Sequence, residues 1–246
     1  GQLIHDQTIP PINRYGILND LFAFIQKGEI SVDFGLEFVE NYCDQENDTL
    51  PIGVILDFLG TLYRLNENYR EKTKASGRAV IKNALDLFGM TPKEDDTVQI
   101  AGLRDRLLWL GYRFDLDSAI EFGKEIFKAE KDGKVIHPDI HAAIMKIAAA
   151  TKVATVEYFK EKIADPKVPM VYKLNMLSAM GFYPDEKTVR GNLKWNLEEV
   201  PKNNRFGMLI SASQNVITES WFWDYFRDNI QTFMKEMPRN LVGYSL

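Results

Sequence analysis

The chain has 246 residues, 45% of them hydrophobic and 26% charged, a composition that folds rather than staying disordered. A net charge of -5 and a pI near 5.4 run against a nucleic-acid partner, which calls for a basic surplus. No apolar run is long enough for a membrane span, no basic stretch followed by an apolar one marks a signal peptide, and the single Cys43 excludes an internal disulfide and fits a reducing, cytoplasmic setting.

The dominant period along the chain is helical. Ile17, Leu18, Leu21, Phe22 and Ile25 recur at three and four, Gly28 stops that helix, and Ser31 caps the next, which runs to about Tyr42. Asn47, Asp48 and Thr49 cap a third helix with Pro51 in its tolerant first turn. Its stripe is Ile52, Ile55, Leu56, Leu59, Leu62 and Tyr63, and a long helix follows from about Tyr69 to Leu87. Beyond the loop 89–96 the pattern reads as helix pairs. First members start near Thr97, Pro138, Val168 and Arg205, and their partners near Leu116, Lys152, Asp185 and Thr218. The ten prolines fall at these boundaries, and Lys134, Val135 and Ile136 are too short a run for a strand. Helical glycines at 60, 102 and 123 imply close approach of neighbouring helices. The aromatic run from Trp221 to Phe226 predicts a terminal helix buried on two sides. Phe222, Phe226, Phe233 and Met237 form one stripe, with Trp223 on that side and Trp221 and Tyr225 on another.

These elements predict an all-α fold of irregular HEAT- or armadillo-like helical pairs, wound as a superhelix around a concave bowl. Residues 1–246 form a single helical domain, with 9–88 and 97–237 as sub-bundles either side of the loop 89–96.

Catalytic chemistry is missing from the residues. His137 and His141 stand at i, i+4, the spacing of a helical zinc pair, but the second position of His-Glu-x-x-His is Pro138, so no general base is present. His137 then reads as a helix cap and His141 as a surface histidine. Cys43 has no neighbouring histidine in sequence, no Gly-x-Ser-x-Gly elbow occurs, and Asp95 and Asp96 are a solvated loop pair.

Four segments, in order and spacing, carry a resemblance. Ile9-Pro10-Pro11-Ile12-Asn13-Arg14 leads into Leu18-Asn19-Asp20-Leu21-Phe22-Ala23 and then Gly28-Glu29-Ile30-Ser31. Leu103-Arg104-Asp105-Arg106-Leu107-Leu108 is followed by Ala119 and Phe127; Pro138 to Tyr158 is a helix pair ending in aromatics; Asn215 precedes Trp221-Phe222-Trp223-Asp224-Tyr225-Phe226-Arg227-Asp228-Asn229. Together these resemble the C-terminal domain of the aminopeptidase N family of zinc aminopeptidases, with the archaeal tricorn-interacting aminopeptidases as the nearest likeness. Leu21, Val216 and Ile230 depart from the family pattern.

The resemblance implies a domain that caps an upstream catalytic domain of the same polypeptide, encloses peptide substrates and gates access. Zinc and its ligands belong to that catalytic domain. The fragment itself holds no cofactor and is inactive alone, because His-Glu-x-x-His is absent, and Arg14 and Asp20 are structural. The resemblance also implies a place for the peptide's C-terminal carboxylate, which needs a cation when desolvated. Candidates on the first helices of the pairs are Arg104, Lys146, Lys173 and Arg205. The alternative to an aminopeptidase domain is a freestanding HEAT-like scaffold for protein interactions; a DNA-binding solenoid is disfavoured by the charge.

Overall fold

A computed structural model describes residues 1–236, and among these it contains thirteen α-helices, a few short 3-10 turns and no strand. Met237 and Pro238 lie outside the described residues. The chain divides into two compact units, the first Gly1–Phe122 and the second starting at Gly123.

In the first unit, α1 (Gln2–His5) precedes α2 (Pro11–Gln26), α3 (Val32–Tyr42), α4 (Thr49–Leu65), α5 (Arg70–Phe88) and α6 (Val98–Arg113). The helix signals act where the sequence places them. Gly28, at φ 77°, takes the left-handed turn that ends α2; Ser31 caps α3 through Phe34 N–H, and Asp48 caps α4 through Leu50 N–H. α2, α4 and α6 pack in one row, and α3 and α5 in a second row behind it. Ile52, Ile55, Leu56, Leu59, Leu62 and Tyr63 are all buried, as their stripe predicts. α2 is narrower in its burial than predicted. Leu18, Phe22 and Ile25 go inside, Phe22 stacking on Phe58 at 4.1 Å, but Ile17 is exposed and Leu21 only half-buried.

Two buried arginines set the geometry of this unit. Arg14 of α2 meets Glu46 with two bonds, Nε to Oε2 at 2.8 Å and a terminal nitrogen to Oε1 at 2.7 Å, and also donates to Ile9 O. Glu46 Oε1 accepts from the backbone of Asn47 and Asp48, so one carboxylate ties α2 to the turn that starts α4. Arg104 of α6 donates to the carbonyls of Gly89 and Phe88 and pairs with Asp96 at 2.7 Å. The loop 89–96, predicted as the boundary between sub-bundles, is therefore stapled to α6, and it lies inside the first unit between helices that pack together. Cys43, at the C-cap of α3, is fully buried, and burial together with Glu46 and Asp44 pushes its thiol up to about 12.

The division between the units falls within α7 (Asp117–Lys131). In the second unit follow α8 (Pro138–Ala150), α9 (Val156–Ala164), α10 (Met170–Ala179), α11 (Glu186–Glu199), α12 (Phe206–Ser213) and α13 (Phe222–Glu236). α8, α10 and α12 pack in a row. A Cβ on Gly123 would stand 2.7 Å from Ile147 Cγ2, so at this glycine the predicted close approach of helices is real. Gly60 makes only ordinary contact with Leu110, and Gly102 has nothing within 4 Å, which corrects the expectation for those two. Asn215 explains its place in the sequence pattern: it caps a 3-10 turn through Ile217 N–H and donates to the carbonyls of Gly181 and Tyr183. Trp221, Phe222, Phe226 and Phe233 are buried, and Arg190 lies 3.9 Å over the Trp221 ring. Trp223 differs from expectation, standing 58% exposed on the outer side of α13.

His137 is the cap of α8, its Nδ1 accepting from Asp139 N–H. His141 is not a surface residue. It is buried, stacked on Tyr172 at 4.2 Å and hydrogen-bonded to Asn175 at 3.2 Å, and burial lowers its pKa to about 4.

Candidate functional site

The face of the first unit made by α2, α4 and α6 carries a groove of about 470 Å³, with a smaller recess of about 140 Å³ sharing Asn19, Val54 and Asp57 with it. Its walls follow from helix periodicity. Tyr15, Asn19, Ala23 and Gln26 come from α2; Leu50, Val54, Asp57 and Thr61 from α4; Gln99, Gly102 and Arg106 from α6. The floor is low because Gly53 and Gly102 face it without side chains. Arg106 lies across it, donating to Asp57 at 2.6 Å and to Gly53 O at 3.1 Å. The lining is mostly neutral, with hydroxyl and amide groups beside apolar Leu50, Val54 and Val98.

At the C-terminal ends of the same two helices the character changes to cationic and aromatic. Arg113 of α6 stands 5.5 Å over Tyr63 and 4.9 Å over Trp109, whose indole stacks on Tyr112. Arg70 stands 5.9 Å over the same Tyr63 ring and donates to the Tyr63 carbonyl. Arg64 follows Tyr63 in sequence, and its Nε is buried with no hydrogen-bond partner among the described residues. Burial, followed by repulsion from Arg64 and Arg70, brings the Arg113 guanidinium down to about 10. Lys74 and Arg78 nearby are neutralised by Asp115. Two arginines over one tyrosine ring, with Arg64 near enough to repel Arg113, offer guanidinium forks of the kind that hold a planar oxyanion in bidentate geometry. Part of the arrangement also satisfies helix C-termini, where cations are favoured.

Of the four cations selected from sequence, Arg104 is fully buried and spends its guanidinium on Asp96 and two carbonyls. Arg205 is buried at the N-cap of α12, donating from Nε to Val200 O while its own carbonyl accepts from Asn196. Lys146 of α8 and Lys173 of α10 are half-buried on helices that pack together in the second unit. Sequence reading did not single out Arg64, Arg70 or Arg113. The available signal was spacing: Tyr63-Arg64 ends one helix and Trp109-x-x-Tyr112-Arg113 ends another, two aromatic-arginine termini on helices that pack together.

Zinc finds no fitting donor set here. Among the described residues no group of three or more His, Cys, Asp or Glu is placed to hold a metal ion: His137 caps a helix, His141 is stacked on Tyr172, and His5 sits on Asp6. No described helix is long and apolar enough to cross a membrane.

The puromycin-sensitive aminopeptidase of Caenorhabditis elegans is 20% identical over 249 residues, an alignment that takes in 94% of this chain and 25% of the relative. The chain thus spans about a quarter of that relative's length. The profile of the ERAP1-like C-terminal domain matches residues 1–245. With all-helical architecture and a profile match along essentially its whole length, the chain belongs to the family of ERAP1-like C-terminal domains.

Proposed function

We propose that the chain is the part of a zinc aminopeptidase that covers a catalytic domain of the same polypeptide, encloses the peptide substrate, gates its access and receives its C-terminal carboxylate on Arg64, Arg70 and Arg113. The observation that carries this reading is the pairing of Arg70 and Arg113 over the Tyr63 ring, with Arg64 close to Arg113, in a chain of net negative charge. A carboxylate placed among guanidiniums gains charge-assisted hydrogen bonds. The carboxylate is the one charge that every unmodified peptide carries at the end remote from aminopeptidase cleavage. Lys146 and Lys173 are a secondary site for the same group; Arg104 and Arg205 act in the fold.

The test uses the full aminopeptidase with a dipeptide and a ten-residue substrate. Losing a charge-assisted contact of about 1.5–3 kcal/mol corresponds to at least tenfold in affinity. Arg64→Gln with Arg113→Gln is expected to raise KM for the longer peptide about tenfold and leave the dipeptide unchanged. Amidating the longer peptide should reproduce the loss in the parent enzyme. If the double variant, and Lys146→Ala with Lys173→Ala beside it, handle both substrates like the parent, carboxylate capture by this chain is refuted.

A further inference from the structure

α3 shows two different flanks to the outside. Its inner side is settled by packing: Gly35, Leu36 and Val39 are buried, and α5, α2 and α1 lie against the helix. A Cβ on Gly35 would run into Ile25 and Phe58, so that side faces the core. Phe34, Phe38 and Tyr42 stand four residues apart and form one row along the helix, with ring centroids 6.2 Å and then 5.1 Å apart. Phe34 is 49% exposed, and Phe38 and Tyr42 are half-buried. The row is an aromatic ridge about 12 Å long at the surface.

On the other outer flank Asp33, Glu37 and Glu40 recur at four and three. Asp33 is taken: it accepts from Lys72 Nζ at 2.7 Å and from the Tyr69 hydroxyl at 3.1 Å. Glu37 and Glu40 are exposed and make no ion pair among the described residues. Two carboxylates one turn apart therefore border the aromatic row.

This pattern selects among occupants. A helix face has no unpaired backbone edge for a strand to join, whereas a second helix can lay its own ridge beside the row. A nucleic acid or an anionic lipid surface meets Glu37 and Glu40 with like charge. A second copy of the chain, docking through the same face, brings the same carboxylates near one another. The chemistry that fits is a cationic amphipathic helix. Its apolar side chains, three and four apart, cover the aromatic row, and lysines or arginines beside them reach the two glutamates.

We propose that the outer face of α3 is a docking site for a cationic amphipathic helix of another protein, seated on Phe34, Phe38 and Tyr42 and oriented by Glu37 and Glu40. The contact spans about two helical turns, so affinity is modest, and the charges act chiefly on encounter rate and choice of partner. Docking here is independent of any peptide contact made by α2, α4 and α6.

The test uses the 246-residue chain and the full aminopeptidase side by side. The probe is a fluorescein-labelled helix of about fifteen residues, leucines along one face and lysines along the other, followed by anisotropy. Phe34→Ser should weaken its binding about tenfold, the effect of losing a central aromatic contact. Glu37→Lys with Glu40→Lys should weaken it at least as much, because attraction becomes repulsion. All three positions are exposed, so the Tm of both variants should match the parent. Glu94→Lys with Asp95→Lys makes the same charge change on the loop 89–96 and should leave binding unaltered. If that loop variant weakens binding as much as the α3 variants do, the probe follows net charge and the site is refuted. Equal binding of a helix with glutamates in place of its lysines refutes it too. Binding by the 246-residue chain but not by the full enzyme would put the rest of the polypeptide on this face. Dimerisation of the parent that is lost in Phe34→Ser would put a second copy there. Either result overturns the proposal, as does the absence of saturable binding.

Discussion

Glu46→Ala is expected to destabilise the first unit by about 3–5 kcal/mol, the cost of stripping the partner from a buried charge. Glu46 and Arg14 have side chains only 1% and 3% exposed, and the carboxylate takes two guanidinium bonds and two backbone N–H bonds at once. Removing it leaves Arg14 charged, buried and holding only the Ile9 carbonyl, and frees the turn that starts α4. Arg14→Met should also destabilise, because it orphans the carboxylate. The double variant Arg14→Met with Glu46→Leu should be less damaged than the sum of the two, since apolar groups of similar volume replace a buried pair without an unpaired charge. Urea unfolding of the four proteins gives the coupling directly. A loss under 1 kcal/mol for Glu46→Ala, or additivity in the cycle, would contradict the role given to this pair.

Acid should destabilise the second unit through His141. A free imidazole takes its proton near pH 6.5, but burial holds this one neutral down to about pH 4. Between those values the unfolded chain binds more protons than the folded one, so unfolding is favoured as pH falls. The neutral form's contribution is complete above about pH 6.5 and is lost progressively toward pH 4, amounting to about 3 kcal/mol. Carboxylates add their own acid dependence below this range, so the measurement is a comparison. His141→Gln, which keeps a polar group near Asn175 and cannot charge, should show a flatter Tm against pH between 6.5 and 4 than the parent. Identical pH profiles would show that His141 does not remain neutral in the fold.

How far the fold was legible depended on whether its cause was local. Caps, prolines and the stripe from Ile52 to Tyr63 act within one helix, so Ser31, Asp48, Thr97, Pro138 and Asp185 mark their boundaries in the sequence as in the structure. The fastening of the loop 89–96 was not legible, because it is made by Arg104, a residue one helix further on that lies among Leu103, Leu107 and Leu108 and reads as a surface charge. His141 misled for the same reason: only the packing of α8 on α10 brings Tyr172 over its ring. At the candidate site, charge and a place on the first helices of the pairs selected Arg104 and Arg205, both of which donate to backbone carbonyls. The arginines at Tyr63 are defined by convergence from three helices, which no single segment displays.

The burial of Cys43 gives the molecule a built-in clock for its own opening. It is the chain's single thiol, it is fully buried, and its environment holds it up to about 12, so at neutral pH it offers an alkylating reagent neither access nor thiolate. Modification then waits for the segment around α3 to open, and the labelling rate measures how often it does. Because this thiol belongs to the first unit and His141 to the second, mild acid and alkylation interrogate different halves of one chain. Faster labelling at pH 5 than at pH 7 in the parent, absent in His141→Gln, would mean that protonation in one half is felt as breathing in the other.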